Sequence, residues 1–236
     1  MKINMSSDRV FYSIQCEGST VGHPAVFFRV AGCTLDCKWC DTAAVWKNST
    51  PMTFEEIWEL MKPYLSYLDA GAHLILTGGS PLRQQNAIAS FLYWVREHHD
   101  AAQRWYIECE TEGVLAPESL QTLVAQWNVS PKLSNSGMAF ERRFKIDVLR
   151  IHSSVGHSIF KFPVDVLDKV QEQLDEIEAI IAMARIHRPN VWLMPVCDTR
   201  ETHRVALPLA IEIAKNYGFC VSPRLHLEIW DKTTGV

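Results

Sequence analysis

Apolar positions along the chain recur in two rhythms. Short runs rich in Val, Ile, Leu and Phe, at Ala25 to Val30 (AVFFRV), His73 to Thr77 (HLILT), Trp105 to Cys109, Trp127 to Ser130, Ile159 to Val164 and Val191 to Met194, have the length and continuity of buried strands. Between them, apolar residues return every three or four positions, as the buried stripe of a helix does. Thr53 followed by Glu56 reads as a capping box opening a helix with Ile57, Leu60 and Met61 on one face, kinked or ended by Pro63. Leu82 to His99 carries Ile88, Phe91, Leu92 and Val95 as a core stripe, and Pro117 to Ala125 reads as helical with Pro in the first turn. Asp165 is expected to cap a helix through LDKVQEQLDEIEAIIAMARIH, and Glu201 to Tyr217 forms the last long helix, closed by Gly218.

Three stretches fit neither rhythm well. Residues 10 to 24 end in turn residues, Gly18, Gly22 and Pro24, and are expected to be irregular. Ser134 to His157 offers one short helix near Ile146 to Ile151, with Arg142, Arg143 and Lys145 as a solvated face. The final FCVSPRLHLEIWDKTTGV alternates like a strand. Strand and helix thus alternate about six times, which predicts an α/β fold with a parallel sheet. Six units are too few for a closed eight-fold barrel, so a partial, open TIM-like barrel of about six βα units is expected, in a single domain spanning 1–236.

Composition narrows the class. With 236 residues and 47% hydrophobic content, the chain can bury one sizeable core. Its 23 basic and 27 acidic residues leave a formal charge of −4, so nothing pulls it toward nucleic acid or an anionic membrane, and a small-molecule substrate is expected. There is no secretory pattern at the N-terminus and no apolar run of membrane-spanning length, which points to a cytoplasmic protein. Seven cysteines, three of them clustered, fit a reducing compartment, with Cys109, Cys197 and Cys220 as ordinary buried thiols.

The clustered three carry the candidate chemistry. Cys33, Cys37 and Cys40 are spaced C-x3-C-x2-C on a loop (31–46) that follows an apolar strand. Tetrahedral zinc wants a fourth ligand, and His23 and Cys16 lie at no finger-like spacing. A [4Fe-4S] cluster suits three thiolates better and keeps one iron open to an exogenous molecule. Free or zinc-bound thiols are the plainer alternative. The strand ending in Gly78-Gly79-Ser80-Pro81 lets a ligand approach the backbone closely. Glu110, Ser130 and Lys132 also fall at strand C-termini, where parallel α/β folds gather their ligands. Gln15 and Glu17 share a face if extended, and Arg29 in a core strand requires an anion, either a substrate carboxylate or a structural carboxylate partner. His226, a lone histidine, reads by default as a satisfied core histidine.

The segments FYSIQCEG, FFRVAGCTLDCKWCDT, LTGGSPL, VSPKLSNSG, KFPV and SPRLHLEIW, in this order, resemble the 7-carboxy-7-deazaguanine synthase family of the radical S-adenosylmethionine (SAM) superfamily. The resemblance covers almost the whole chain. It implies that SAM chelates the unique iron and is cleaved to a 5′-deoxyadenosyl radical. It further implies that 6-carboxy-5,6,7,8-tetrahydropterin is converted to 7-carboxy-7-deazaguanine with loss of ammonia, in queuosine-type biosynthesis. By the same resemblance, Gln15, Glu17, Arg29 and His226 bind the pterin, so 10–24 and 219–236 are substrate segments. Gly78, Gly79, Ser80, Glu110, Ser130 and Lys132 bind SAM, and Thr42 holds a Mg2+ ion. A homodimer and an electron donor such as flavodoxin are implied as partners. Two residues depart from the family pattern: Cys16 stands for its Gly, and Ser80 for the Glu of its Gly-Gly-Glu-Pro turn. A glycyl-radical enzyme activase and a zinc-stabilised interaction domain are the competing readings.

Overall fold

Nine strands form one sheet in the computed structural model, which describes residues 1–233 and 235–236. The N-terminal strand β1 (Lys2–Ile14) pairs antiparallel with β2 (Pro24–Val30) on one side and with β3 (Thr50–Thr53) on the other. Beyond β2 follow β4 (His73–Gly78), β5 (Ile107–Thr111), β6 (Gln126–Val129), β7 (His157–Val164), β8 (Val191–Pro195) and β9 (Cys220–Val221), each parallel to its predecessor. The sheet is therefore open, with β3 and β9 at its edges. Six of its parallel strands have four residues or more, and the seventh, β9, has two.

Period-two alternation separates the faces of this sheet. Phe28, Leu74, Leu76, Trp127, Phe160 and Phe162 point one way and are buried against the helices. Each such side chain contributes about 1.5–3 kcal/mol by leaving water. Their main cover is α2 (Phe54–Met61), α4 (Gln85–His98), α7 (Val170–Ala184) and α8 (Arg200–Tyr217), among them Phe91 stacked on Phe28 at 5.6 Å. The opposite face carries Arg29, Thr77, Glu108, Glu110, Asn128 and Lys161. Burying so many polar groups requires partners. Toward the N-terminal ends of the strands, Glu108 takes hydrogen bonds from Asn128 Nδ2 (2.7 Å) and Thr20 Oγ1 (3.0 Å) and meets His73 Nδ1 at 2.6 Å. Toward the C-terminal ends lies the candidate site.

Local signals survive where they are self-contained. Thr53 and Glu56 form the capping box of α2, and Gly218 ends α8 in a left-handed conformation at φ 68°. Several expectations are corrected. Residues 10 to 24 are a hairpin, because Phe11 to Ile14 pair with Pro24 to Phe27 and Gln15 exchanges backbone hydrogen bonds with Gly22 and His23. Pro117 to Ala125 forms turns rather than a helix, since burial of Leu120, Leu123 and Val124 immediately before β6 leaves room for one turn only. Asp165 caps a turn, accepting from Leu167 N. The buried amide of Gln173 ties down Asp165 and Asp168, so α7 starts only at Val170. The C-terminal segment gives only the short β9, and the residues after it fold as helix α9 (Leu225–Trp230). The 134–157 stretch is better ordered than its pattern suggests, with α5 (Phe140–Arg143) and α6 (Ile146–Ser154). Arg143 is buried and paired with Glu176, so it does not belong to a solvated face, whereas Arg142, which donates to Thr34 O at 3.0 Å, and Lys145 are exposed as expected. Cys220 is only partly buried.

Candidate active site

The thiol loop leaves β2 at Ala31 and crosses the C-terminal edge of the sheet, fixed by four hydrogen bonds. Gly32 N donates to Trp46 O (3.0 Å), Arg83 Nη1 to Cys33 O (2.9 Å), Lys38 N to Ser136 O (3.0 Å) and Trp39 Nε1 to Asn135 O (3.1 Å). Gly78 and Gly79 are required by this packing. A Cβ on Gly78 would lie 2.1 Å from Val30 O, and one on Gly79 would lie 2.2 Å from Gly32 O. The close approach expected at these glycines is thus made by the chain's own loop. Gly79 N and Ser80 N donate to Val30 O and Gly32 O, extending the β2–β4 ladder beneath the cysteines.

Two connected cavities open above this floor. The smaller, about 170 Å³, is lined by all three thiols together with Gly78, Gly79, Glu110, Ser130 and Lys132. The larger, about 720 Å³, is lined by Gln15, Glu17, Arg29 and His226. Cys40, Thr42, Thr77, Gly78 and Glu110 line both, so the two are contiguous. Every residue expected in the site borders one of them except Ser80, which is fully buried and spends its hydroxyl on Glu112.

The thiols fit a cluster. Among the described residues no three His, Cys, Asp or Glu gather tightly enough for a single metal ion, whereas Cys33, Cys37 and Cys40 surround a common space. Burial first, and then the charge of Glu112, push the Cys33 thiol up to about 11. Binding metal there must displace protons, as it does at any thiolate site. Cys40 Sγ accepts from Trp46 Nε1 at 3.4 Å. Thr42 occupies the position before helix α1 (Ala43–Trp46) without making a side-chain cap, and its hydroxyl lies 3.7 Å from Cys40 Sγ, where the two cavities meet. Along the smaller cavity, Glu110 Oε2 accepts from Thr77 Oγ1 (2.6 Å), and Lys132 Nζ donates to Ser130 Oγ (2.6 Å).

The larger cavity is built from orphaned donors and one charge network. Gln15 Oε1 is held by the backbone N–H groups of Cys16 and Glu17, while its buried Nε2 has no partner. Arg29 donates from Nη1 to Asp8 at 3.1 Å, lies 4.9 Å over the Phe11 ring, and leaves Nε buried and unpartnered. Glu17 is bound by Lys161 Nζ and, at 3.3 Å, by Arg224 Nε. Burial opposes its ionisation, but Lys161, Arg224 and His226 together outweigh that and hold its carboxyl far below the usual range. Arg224 also grips Asp41 and Cys197 O, and approaches His226 Nε2 at 3.4 Å. Burial keeps His226 neutral against the pull of Glu17. Cys16 is buried beside this network, its thiol pushed up to about 11 by burial and then by Glu17.

Sequence reasoning missed Asp8, Asp41, Glu112, Lys161 and the role of Arg224. A lysine between two phenylalanines in an apolar strand, and a carboxylate at every second position from Glu108 to Glu112, were readable signals. The Asp8 and Asp41 pairings join distant segments and had none.

The family described as "4Fe-4S single cluster domain" matches residues 16–146. A 7-carboxy-7-deazaguanine synthase of Pyrobaculum aerophilum is 33% identical over 228 residues, covering 96% of this chain and 95% of that protein. The synthase of Halobacterium salinarum is 28% identical over 95% of this chain and 90% of its own length. The fold is shared with QueE from Escherichia coli, at a TM-score of 0.64 and 22% identity over 94% of this chain and 93% of that one. It is also shared with SuiB from Streptococcus suis bound to S-adenosylmethionine, at 0.54 and 15% over 83% of this chain and 48% of that one. With one third of its residues identical to a curated relative over nearly the full length of both proteins, the chain belongs to the 7-carboxy-7-deazaguanine synthase family.

Proposed function

We propose that the chain is a radical SAM lyase that contracts the ring of 6-carboxy-5,6,7,8-tetrahydropterin to 7-carboxy-7-deazaguanine with loss of ammonia. The observation that carries this reading is the continuity of the thiol-lined cavity with a larger one whose buried donors lack partners. When bound, the cluster and SAM supply a carbon-centred radical that abstracts hydrogen. Cys33, Cys37 and Cys40 would hold the cluster, and Glu110, Ser130 and Lys132 would contact the adenosyl part of SAM.

The remaining residues place the pterin. Arg29 turns its free guanidinium edge to the substrate carboxylate. Gln15 Nε2 donates to the pterin carbonyl, and the ionised Glu17 accepts from its N–H edge. Neutral His226 supplies one further donor or acceptor, depending on its tautomer. The hydroxyl of Thr42 would give Mg2+ its single protein oxygen, leaving the other positions to substrate and water, as this ion prefers. The reading extends to a partly closed barrel, a cytoplasmic homodimer and reduction by a flavodoxin-type donor. Neither a glycyl-radical activase nor a zinc module gives the buried polar set of the larger cavity a purpose. Iron-reconstituted protein incubated anaerobically with the pterin, SAM, Mg2+ and a reductant is expected to yield the deazaguanine. An intact cluster without product overturns the assignment.

A further inference from the structure

Among the described residues Glu112 is the one acidic group of the smaller cavity with a buried carboxylate oxygen that lacks a partner. Its side chain is 5% exposed. Oε1 accepts from Ser80 Oγ at 2.9 Å and from Thr34 Oγ1, while Oε2 is buried without any partner. Among the described residues no Lys, Arg or His lies within ion-pair distance of it. Lys132, which borders the same cavity, instead gives its Nζ to Ser130 and lies 5.6 Å over the Trp39 ring. A carboxylate this deeply buried is costly unless a cation joins it. The site is one cation short, and Glu112 lines the space that the thiols also line.

We propose that Glu112 is the acidic ligand for the α-amino group of SAM in this chain. The proposal rests on the reading that the smaller cavity binds SAM at a cluster. Three relationships support it. Thr34 lies between Cys33 and Cys37, so its hydroxyl ties the carboxylate directly to the thiol loop. Glu112 lines the same cavity as the thiols of Cys33 and Cys37, which places it beside whatever those thiols hold. Ser80 stands one hydrogen bond from Glu112, so a glutamate at position 80 would crowd two carboxylates together. Serine there orients the acid presented from β5 instead of competing with it. The two positions act as one unit, with Ser80 as the positioning residue.

The test uses anaerobically reconstituted holoprotein with iron, sulfide and visible absorption matched between variants. Affinities are measured by equilibrium dialysis for SAM and for 5′-methylthioadenosine, which lacks the amino-acid end. Glu112→Gln keeps both hydroxyl contacts but removes the charge, and is expected to weaken SAM about ten-fold or more while leaving methylthioadenosine unchanged. The double variant Ser80→Glu/Glu112→Ser returns one acid to the pair and is expected to bind SAM within about three-fold of wild type. If Glu112→Gln does not load its cluster, this double variant carries the test. The proposal is overturned if Glu112→Gln binds SAM as wild type does, if both ligands weaken equally, or if the loaded double variant binds SAM ten-fold more weakly. Wild-type holoprotein that fails to bind SAM overturns the reading of the cavity itself, and that arm alone tells the two failures apart.

Discussion

Arg29 is joined to Asp8 by a single hydrogen bond, Nη1 to Oδ2 at 3.1 Å, although its buried Nε has no partner. Half of the guanidinium is therefore committed to the protein and half is available. Arg29→Lys keeps the charge but loses the planar fork, and is expected to raise the KM for the pterin about 10- to 100-fold at unchanged iron content. Asp8→Asn removes the competing anion and should lower that KM. Steady-state kinetics on reconstituted protein check both.

Glu17 neutralises two buried cations, Lys161 and Arg224. Glu17→Gln leaves them uncompensated and is expected to destabilise the fold by about 3–5 kcal/mol, read from the urea midpoint. The sign of the pH dependence follows from a carboxyl held below its ordinary value of 4.5. Its contribution is complete above pH 4.5 and is lost progressively as pH falls from there toward the depressed native pKa. The variant should lose that part of the acid sensitivity.

His152 is fully buried, with Nε2 3.0 Å from Leu115 O and Nδ1 without a partner, and burial lowers its pKa to about 4. It is neutral when folded and charges readily when unfolded. Stability is expected to fall by on the order of 3 kcal/mol as pH drops from 6.5 toward 4, with nothing lost above that window. His152→Gln should flatten the slope of unfolding free energy against pH, and NMR should find the wild-type ring uncharged at pH 5.5.

Gly78 combines φ of 114° with a Cβ position 2.1 Å from Val30 O. Gly78→Ala is expected to cost at least about 2 kcal/mol and to push the thiol loop off the sheet. Thermal unfolding reads the first effect, and iron bound per chain after reconstitution reads the second.

What could be read in advance was whatever the chain states locally. The spacing of Cys33, Cys37 and Cys40, the adjacent glycines and the capping box at Thr53 are short-range patterns, and each appears in the structure where its pattern placed it. The parallel sheet followed from strand and helix periodicity. The helix expected at 117–125 failed because tertiary burial overrode propensity, and α9 was misread because six residues cannot distinguish alternation from a helical stripe. The electrostatic design of the larger cavity was hidden for a different reason. Asp8 to Arg29, Asp41 to Arg224 and Glu17 to Lys161 are set by strand order and register, which no single segment encodes.

Glu17 reaches Arg224 across 207 positions of chain, whereas the anchors of the thiol loop, Arg83, Asn135 and Arg142, are all in place by residue 142. Because chains are made from the N-terminus and fold as they emerge, a nascent molecule already owns its thiols while Glu17 and Asp41 still wait for their cation. Ribosome-bound chains halted before Arg224 should take up iron yet leave the pterin unbound, so the radical centre is older, within the life of each molecule, than the chamber that confines it.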